Sequence, residues 1–266
     1  MKESALRISV VSYLNSKPFL KGLQELADKS TYLIHQDIPS ECAAKLLRDE
    51  ADIGLIPVAM IPQLKEAHII SDYCIAANGA VDSVVLVSNT PLDQIRTILM
   101  DQESRTSVML AKILSREYWK ITAAFTPQPP GHDFSKPALT EAAVLIGDKA
   151  LEYRNLYPYQ YDLAAAWKEH TGLPFVFAAW TSNKPVEPRR IAELNEIFKY
   201  GIAGIKQISE TLQSSYPYAN VEDYLSKKIA YSLSTEERKG LRLFLEKLRE
   251  WEQQPSGTMV TAIDIK

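Results

Sequence analysis

The 266-residue sequence has only two cysteines, Cys42 and Cys74, in apolar surroundings without metal-ligand spacing, which fits a reduced, cytoplasmic protein. It has no G-x-G-x-x-G, no Walker loop, no G-x-S-x-G elbow, no H-E-x-x-H and no paired C-x-x-C. The usual sequence supports for nucleotide, serine-hydrolase and metal chemistry are therefore missing. The four histidines, His35, His68, His132 and His170, fall on a strand, before a strand, in a loop and at a helix end, so no nucleophile–histidine pair is legible. Basic runs are absent too: 30 Lys and Arg against 33 Asp and Glu give a net charge of −3 and no footprint for nucleic acid. No segment approaches the roughly 20 apolar residues needed to cross a membrane. Residues 1–14 are interrupted by Arg7 and Ser9 and read as neither a secretory signal nor a span. The expectation is a small-molecule partner, no cofactor, no metal, no nucleic acid and no membrane.

What is present is an alternation of short apolar runs with amphipathic stretches. Runs at 6–11, 32–36 and 51–59, separated by helical patterns, indicate βαβ units around a mostly parallel sheet. Pro18 suits the first turn of a helix, Pro57 ends a strand, and Ser40 is placed to cap the helix carrying Cys42, Ala43, Leu46 and Leu47. Further strands are predicted at 69–76, 83–88, 95–100, 123–125, 143–146 and 173–180, with Asn78-Gly79 as a turn. A helix over 162–170 closes on Gly172, and Phe177 and Trp180 read as core. Residues 126–137, with Pro127, Pro129, Pro130, Gly131 and Pro137, read as a surface loop. Ile191, Leu194, Phe198, Ile202, Ile205 and Ile208 form one apolar stripe, Asn220 caps a short helix, and Ser234 to Glu237 form a capping box. Length and pattern together predict two α/β lobes, with 1–87 plus 182–266 as lobe one and 88–181 as lobe two.

The turn between a predicted strand at 95–100 and a predicted helix at 108–119 organises the reading. Ser104, Arg105, Thr106 and Ser107 crowd three hydroxyls and a guanidinium around backbone N–H groups that have no intrahelical partner. That is suitable chemistry for a carboxylate or phosphate. Helix capping by Ser104 or Thr106, with Arg105 in solvent, is the simpler alternative. Three further strand ends join it: Asn15 with Ser16, Ser83, and Gly147 with Asp148. Asp148 reads equally as an N-cap or as a ligand-orienting group. Together these turns describe a polar cleft at the carboxyl ends of strands, suited to an anionic small molecule. A binding protein and an enzyme that acts by positioning remain equal candidates at this point.

The stretches VSYLNSKPF (11–19), ADIGLIPVAMIP (51–62), DSVVLVSNTPL (82–92), DQESRTSVML (101–110), AVLIGDKAL (143–151) and YDLAAAWKEHTGLPFVFAAW (161–180) together resemble the chorismate dehydratase family of the futalosine route to menaquinone. The resemblance implies a two-lobed type II periplasmic-binding-protein-like fold, α/β in class, with the ligand cleft between lobes joined by a two-stranded hinge, expected near 87–90 and 181–184. It implies a cytoplasmic carbon–oxygen lyase that converts chorismate to 3-[(1-carboxyvinyl)oxy]benzoate and water without a cofactor, as a monomer or weak homodimer. It also implies roles for the turns. Ser104, Arg105, Thr106 and Ser107 would hold one carboxylate, and Ser83 with the Gly147 amide would hold the other or the enol ether. Asn15 would act near the departing hydroxyl, and the base would be Asp148 or a carboxylate of the substrate. The alternatives are a solute-binding protein for an aromatic or dicarboxylic anion, and the sister naphthoate-forming enzyme of the same pathway.

Overall fold

A computed structural model describes residues 5–129, 131–136 and 141–253. The apolar runs form strands β1 (Leu6–Val11), β2 (Tyr32–Asp37), β3 (Ile53–Pro57), β4 (His68–Ala77), β5 (Val84–Ser88) and β6 (Thr97–Met100). They continue as β7 (Ala124–Pro127), β8 (Glu141–Ile146), β9 (Tyr159–Asp162), β10 (Phe175–Ser182) and β11 (Ala230–Ser232). Every residue of β3 and β5 is buried, as expected of continuous apolar strands covered on both faces. The helices are α1 (Lys17–Leu26), α2 (Pro39–Leu47), α3 (Arg105–Glu117), α4 (Gly147–Tyr153), α5 (Leu163–Thr171), α6 (Pro188–Ala203), α7 (Ile205–Leu212), α8 (Val221–Asp223) and α9 (Thr235–Glu252).

Two sheets result, one in the order β11-β4-β10-β3-β1-β2 and the other β7-β6-β8-β5-β9. Both are mixed rather than mostly parallel: β1 pairs parallel with β2 and β3, but β10 runs antiparallel to β3 and β4. In the second sheet β6 is parallel to β7 and β8, and β5 is antiparallel to β8 and β9.

This pairing moves the lobe boundaries away from 87/88 and 181/182. β5 is hydrogen-bonded into the second sheet and β10 into the first, so the chain crosses between lobes at 78–83 and 172–174. The expected hinge positions 87–90 and 181–184 instead begin inside or at the ends of paired strands, where ladder bonds hold the backbone.

Other local expectations also change. Ser40 lies inside α2, whose N-cap is Ile38 with Pro39 at the start. Helix α3 begins three residues earlier than its apolar periodicity indicated, because Ser104 caps it. The stripe from Ile191 to Ile208 is split into α6 and α7 at Gly204. Residues 126 and 127 belong to edge strand β7 rather than to a loop, while Pro130 and Pro137 lie outside the described residues. Strands β9 and β11 are short and carry no legible alternation; their partners β5 and β4 make them strands.

The lobe-one core joins sheet to helices through aromatic side chains. Trp180 of β10 stacks on Phe198 of α6 with ring centroids 4.4 Å apart, and Phe19 of α1 meets both edge-on. Such pairs contribute about 0.5–1.5 kcal/mol each beyond their buried area. Asn220 and Ser234 cap α8 and α9 as predicted. No helix among the described residues is long and apolar enough to cross a membrane.

Candidate active site

A narrow cleft of about 60 Å³ lies where the strand ends of the two sheets face each other. Its walls combine Val11, Leu55, Pro57 and Ile75 from lobe one with Val84 and Ile146 from lobe two. Phe177, read as core from the sequence, also forms part of this wall. The polar lining is Tyr13, Asn15, Ser16, Ser83, Ser104 and Ser107, together with the backbone at Gly147. Of the predicted site residues, the fold therefore brings Asn15, Ser83, Ser104, Ser107 and Gly147 together on one surface.

Each is positioned by its strand end. β1 runs into a short 3-10 turn, Leu14–Ser16, before α1, and Pro18 in the first turn of that helix leaves Asn15 and Ser16 at the cleft. The Ser16 hydroxyl donates to Asn15 Oδ1 at 3.1 Å. At the start of α3, Asp101 Oδ1 accepts the Glu103 and Ser104 N–H groups at 2.7 and 3.0 Å and tightens the turn. Ser104 Oγ accepts the Ser107 N–H, and the two hydroxyls stand 2.9 Å apart. Ser104 is thus the helix cap and a cleft residue at once. The 13-residue helix directs the positive end of its dipole to that point.

Three predicted residues are placed differently. Arg105 is exposed and lines a separate groove with Lys112, Leu248 and Glu252, because one residue along a helix turns the side chain by about 100°. It is not part of the cleft lining, and the expected guanidinium clamp on a carboxylate is not built. Thr106 is fully buried, and its Oγ1 accepts the Ala59 N–H at 3.1 Å, joining α3 to lobe one. Asp148 lies beside the cleft rather than on its wall: Oδ1 accepts the Leu14 N–H at 3.1 Å and Oδ2 accepts the Tyr216 hydroxyl at 3.2 Å. It caps no helix, since α4 has Ile146 as its N-cap. Burial pushes its carboxyl above the usual carboxylate range, opposed by those two hydrogen bonds. Both partners of Asp148 belong to lobe one, so it ties the lobes together.

Gly147 has a further constraint. Its N–H donates to the Ser83 carbonyl at 2.8 Å, so this amide is committed to the protein rather than to a ligand. Its φ is +54°, and a Cβ there would come 2.8 Å from a Tyr13 ring carbon. Left-handed backbone alone costs an L residue about 1–2 kcal/mol. Gly147→Ala is therefore expected to displace Tyr13, whose hydroxyl donates to Glu103 across the cleft, lowering both the melting midpoint and ligand affinity. Unchanged melting and affinity would mean that Tyr13 moves aside without consequence.

Sequence reading missed Tyr13, Tyr216, Tyr224 and Tyr231 as parts of the site. Tyr224 donates to Ser83 Oγ at 2.8 Å, and Tyr231 donates to the Asn15 carbonyl at 2.9 Å. Both come from the segment after α7, over 200 residues from Asn15, and only the pairing of β11 on β4 brings them there. No local pattern marks them.

The arrangement offers hydroxyl and amide donors on apolar walls, with no charged side chain among the described residues that line the cleft. That chemistry suits a small anion with an apolar ring, held by neutral donors in a low-dielectric space.

Comparison with known proteins agrees with this geometry. A chorismate dehydratase of Thermus thermophilus is 24% identical over 266 residues, covering 87% of this chain and 96% of that protein. A chorismate dehydratase of Campylobacter jejuni is 27% identical over 250 residues, covering 89% and 94%. The fold is matched by a Candida albicans protein described as having the generic periplasmic binding protein fold, with a TM-score of 0.61, 10% identity and 99% of each chain covered. The family model for menaquinone biosynthesis matches residues 6–250, and the chain belongs to that family.

Proposed function

We propose that the cleft dehydrates chorismate to 3-[(1-carboxyvinyl)oxy]benzoate and water, without a cofactor, in the cytoplasm and on the futalosine route. The observation that carries this reading is an apolar-walled cleft lined by neutral donors at the strand ends, in a chain of this family. Loss of the ring hydroxyl with the neighbouring ring proton makes the substrate ring aromatic, so the reaction is downhill. The protein need only hold the ring, stabilise the departing hydroxyl and align the proton acceptor. Ser104 and Ser107 at the start of α3 hold one carboxylate, and Ser83 holds the other or the enol ether. Asn15 hydrogen-bonds the departing hydroxyl. Among the described residues the lining contains no carboxylate and no imidazole, and both oxygens of Asp148 are engaged by Leu14 and Tyr216. The proton therefore passes to a carboxylate of the substrate itself, and Asp148 serves to hold the lobes closed. The working form is a monomer or weak homodimer.

The test is to mix the purified protein with chorismate, without cofactor or metal, and follow ultraviolet absorbance and product mass. A species lighter by one water, formed well above the buffer rate, is expected. Tight binding without turnover would replace the dehydratase with a solute-binding protein, and absence of binding would remove chorismate as the ligand. In the same assay Arg105→Ala should leave kcat and KM within about twofold of wild type, as for other surface substitutions. A large rise in KM would return Arg105 to the carboxylate site.

A further inference from the structure

We propose that Tyr224 is a positioning residue that fixes the Ser83 hydroxyl as a hydrogen-bond donor into the cleft, and with it the side of the substrate that Ser83 can hold. This rests on the reading of the cleft as a dehydratase site.

Tyr224 opens a π-helical turn, Tyr224–Lys228, directly after the single turn α8 that Asn220 caps. Such turns are uncommon and occur often at functional sites. The side chain is 4% exposed, and its hydroxyl donates to Ser83 Oγ at 2.8 Å. A serine hydroxyl has a single hydrogen, so an Oγ that accepts from Tyr224 must send its own hydrogen elsewhere. Ser83 is 1% exposed, its carbonyl is taken by the Gly147 N–H, and its remaining open side is the cleft wall. The hydroxyl is thereby committed as a donor to whatever occupies the cleft.

The same direction continues upstream. The Ser16 hydroxyl donates to Asn15 Oδ1, which leaves the Asn15 NH₂ as the donor end of that amide. Burial holds the Tyr224 phenol well above its usual range and keeps it neutral, a donor. Ser16 therefore donates to Asn15 as Tyr224 donates to Ser83, and each acceptor keeps its own hydrogens for the cleft. Tyr231 holds the backbone of the same turn through the Asn15 carbonyl. The segment after α7 thus holds both cleft residues, Asn15 through its backbone by Tyr231 and Ser83 through its hydroxyl by Tyr224.

The test is a double-mutant cycle with chorismate: wild type, Tyr224→Phe, Ser83→Ala and the double variant, each measured for kcat, KM, chorismate affinity by calorimetry and melting midpoint. Tyr224→Phe keeps the ring and removes only the hydroxyl. It should raise KM and weaken chorismate affinity by on the order of 10-fold, with kcat changed less, because Ser83 holds the substrate in the ground state and the transition state alike. In the Ser83→Ala background the same substitution should have no further effect. An equal loss in both backgrounds, or wild-type KM and affinity in Tyr224→Phe, overturns the proposal. A purely structural role would lower the melting midpoint and the amount of active protein without splitting kcat from KM. Failure of the wild type itself to release water would overturn the dehydratase reading; the calorimetric affinities across the same four proteins would then report whether Tyr224 acts through Ser83.

Discussion

Asn15→Ala is expected to lower kcat for chorismate dehydration by about 10²- to 10³-fold while KM changes only a few-fold, the range seen when one preorganised donor to a developing charge is removed. Asn15 sits on the cleft wall at the end of β1, with Oδ1 turned toward Ser16 and its backbone carbonyl held by Tyr231. Its amide is therefore oriented before substrate arrives, and a preorganised dipole needs no reorganisation as the hydroxyl departs. The melting midpoint should move little, because Asn15 is only partly buried and Tyr231 bonds its backbone rather than its side chain. An alanine variant with unchanged kcat would remove Asn15 from the mechanism. A variant with unchanged kcat and a much higher KM would make it a binding group only.

Asp162→Ala is expected to give the largest loss of stability, about 3–5 kcal/mol, or a melting midpoint lower by roughly 10 °C. One carboxylate satisfies four backbone N–H groups. Oδ1 accepts from Ala164 and Ala165, each at 3.0 Å, and caps α5; Oδ2 accepts from Val81 and Asp82 at 2.9 and 2.7 Å. Those last two lie on the crossing segment just before Ser83, and Asp82 has a φ of +68°. The Asp82 carboxylate is itself paired with Arg154 at 2.8 Å and Lys228 at 3.2 Å. Losing a cap costs about 1 kcal/mol, and each buried group left unpaired about 1–3, though neighbouring losses are not additive. Release of the crossing segment should also displace Ser83, so kcat should fall together with stability. Thermal melting checks the first effect, and a variant that melts within about 2 °C of wild type would mean that water takes over the four N–H groups.

Asp162 also shows how far local reading goes. Its capping of α5, closed by Gly172 in the left-handed region, is legible in the order of residues alone. Its grip on Val81 and Asp82, some 80 residues earlier, is not, because it depends on β9 pairing with β5. The same division holds at the organising turn. That Ser104 to Ser107 join a strand to a helix is visible in the switch from a continuous apolar run to helical periodicity. Which of the four side chains enter the cleft depends on helix phase against the neighbouring lobe. Ser104 and Ser107 face inward, three residues apart, while Arg105 turns to the opposite groove and Thr106 is used against Ala59.

The order of residues by itself determined the strands with continuous apolar runs, the caps at Asn220 and Ser234, the proline-started helices, the α/β class and the strand-end turns that carry Asn15, Ser83, Ser104 and Gly147. Each of these is a local matter of periodicity, capping and turn chemistry within about ten residues. Tertiary structure alone decided that β10 joins the first sheet and β5 the second, that Asp148 bridges the lobes, and that Tyr224 and Tyr231 reach back to Ser83 and Asn15. Those contacts join residues 68 to 216 positions apart, and a buried polar group takes its partner from whatever the packed chain brings within hydrogen-bonding distance, not from its neighbours in sequence.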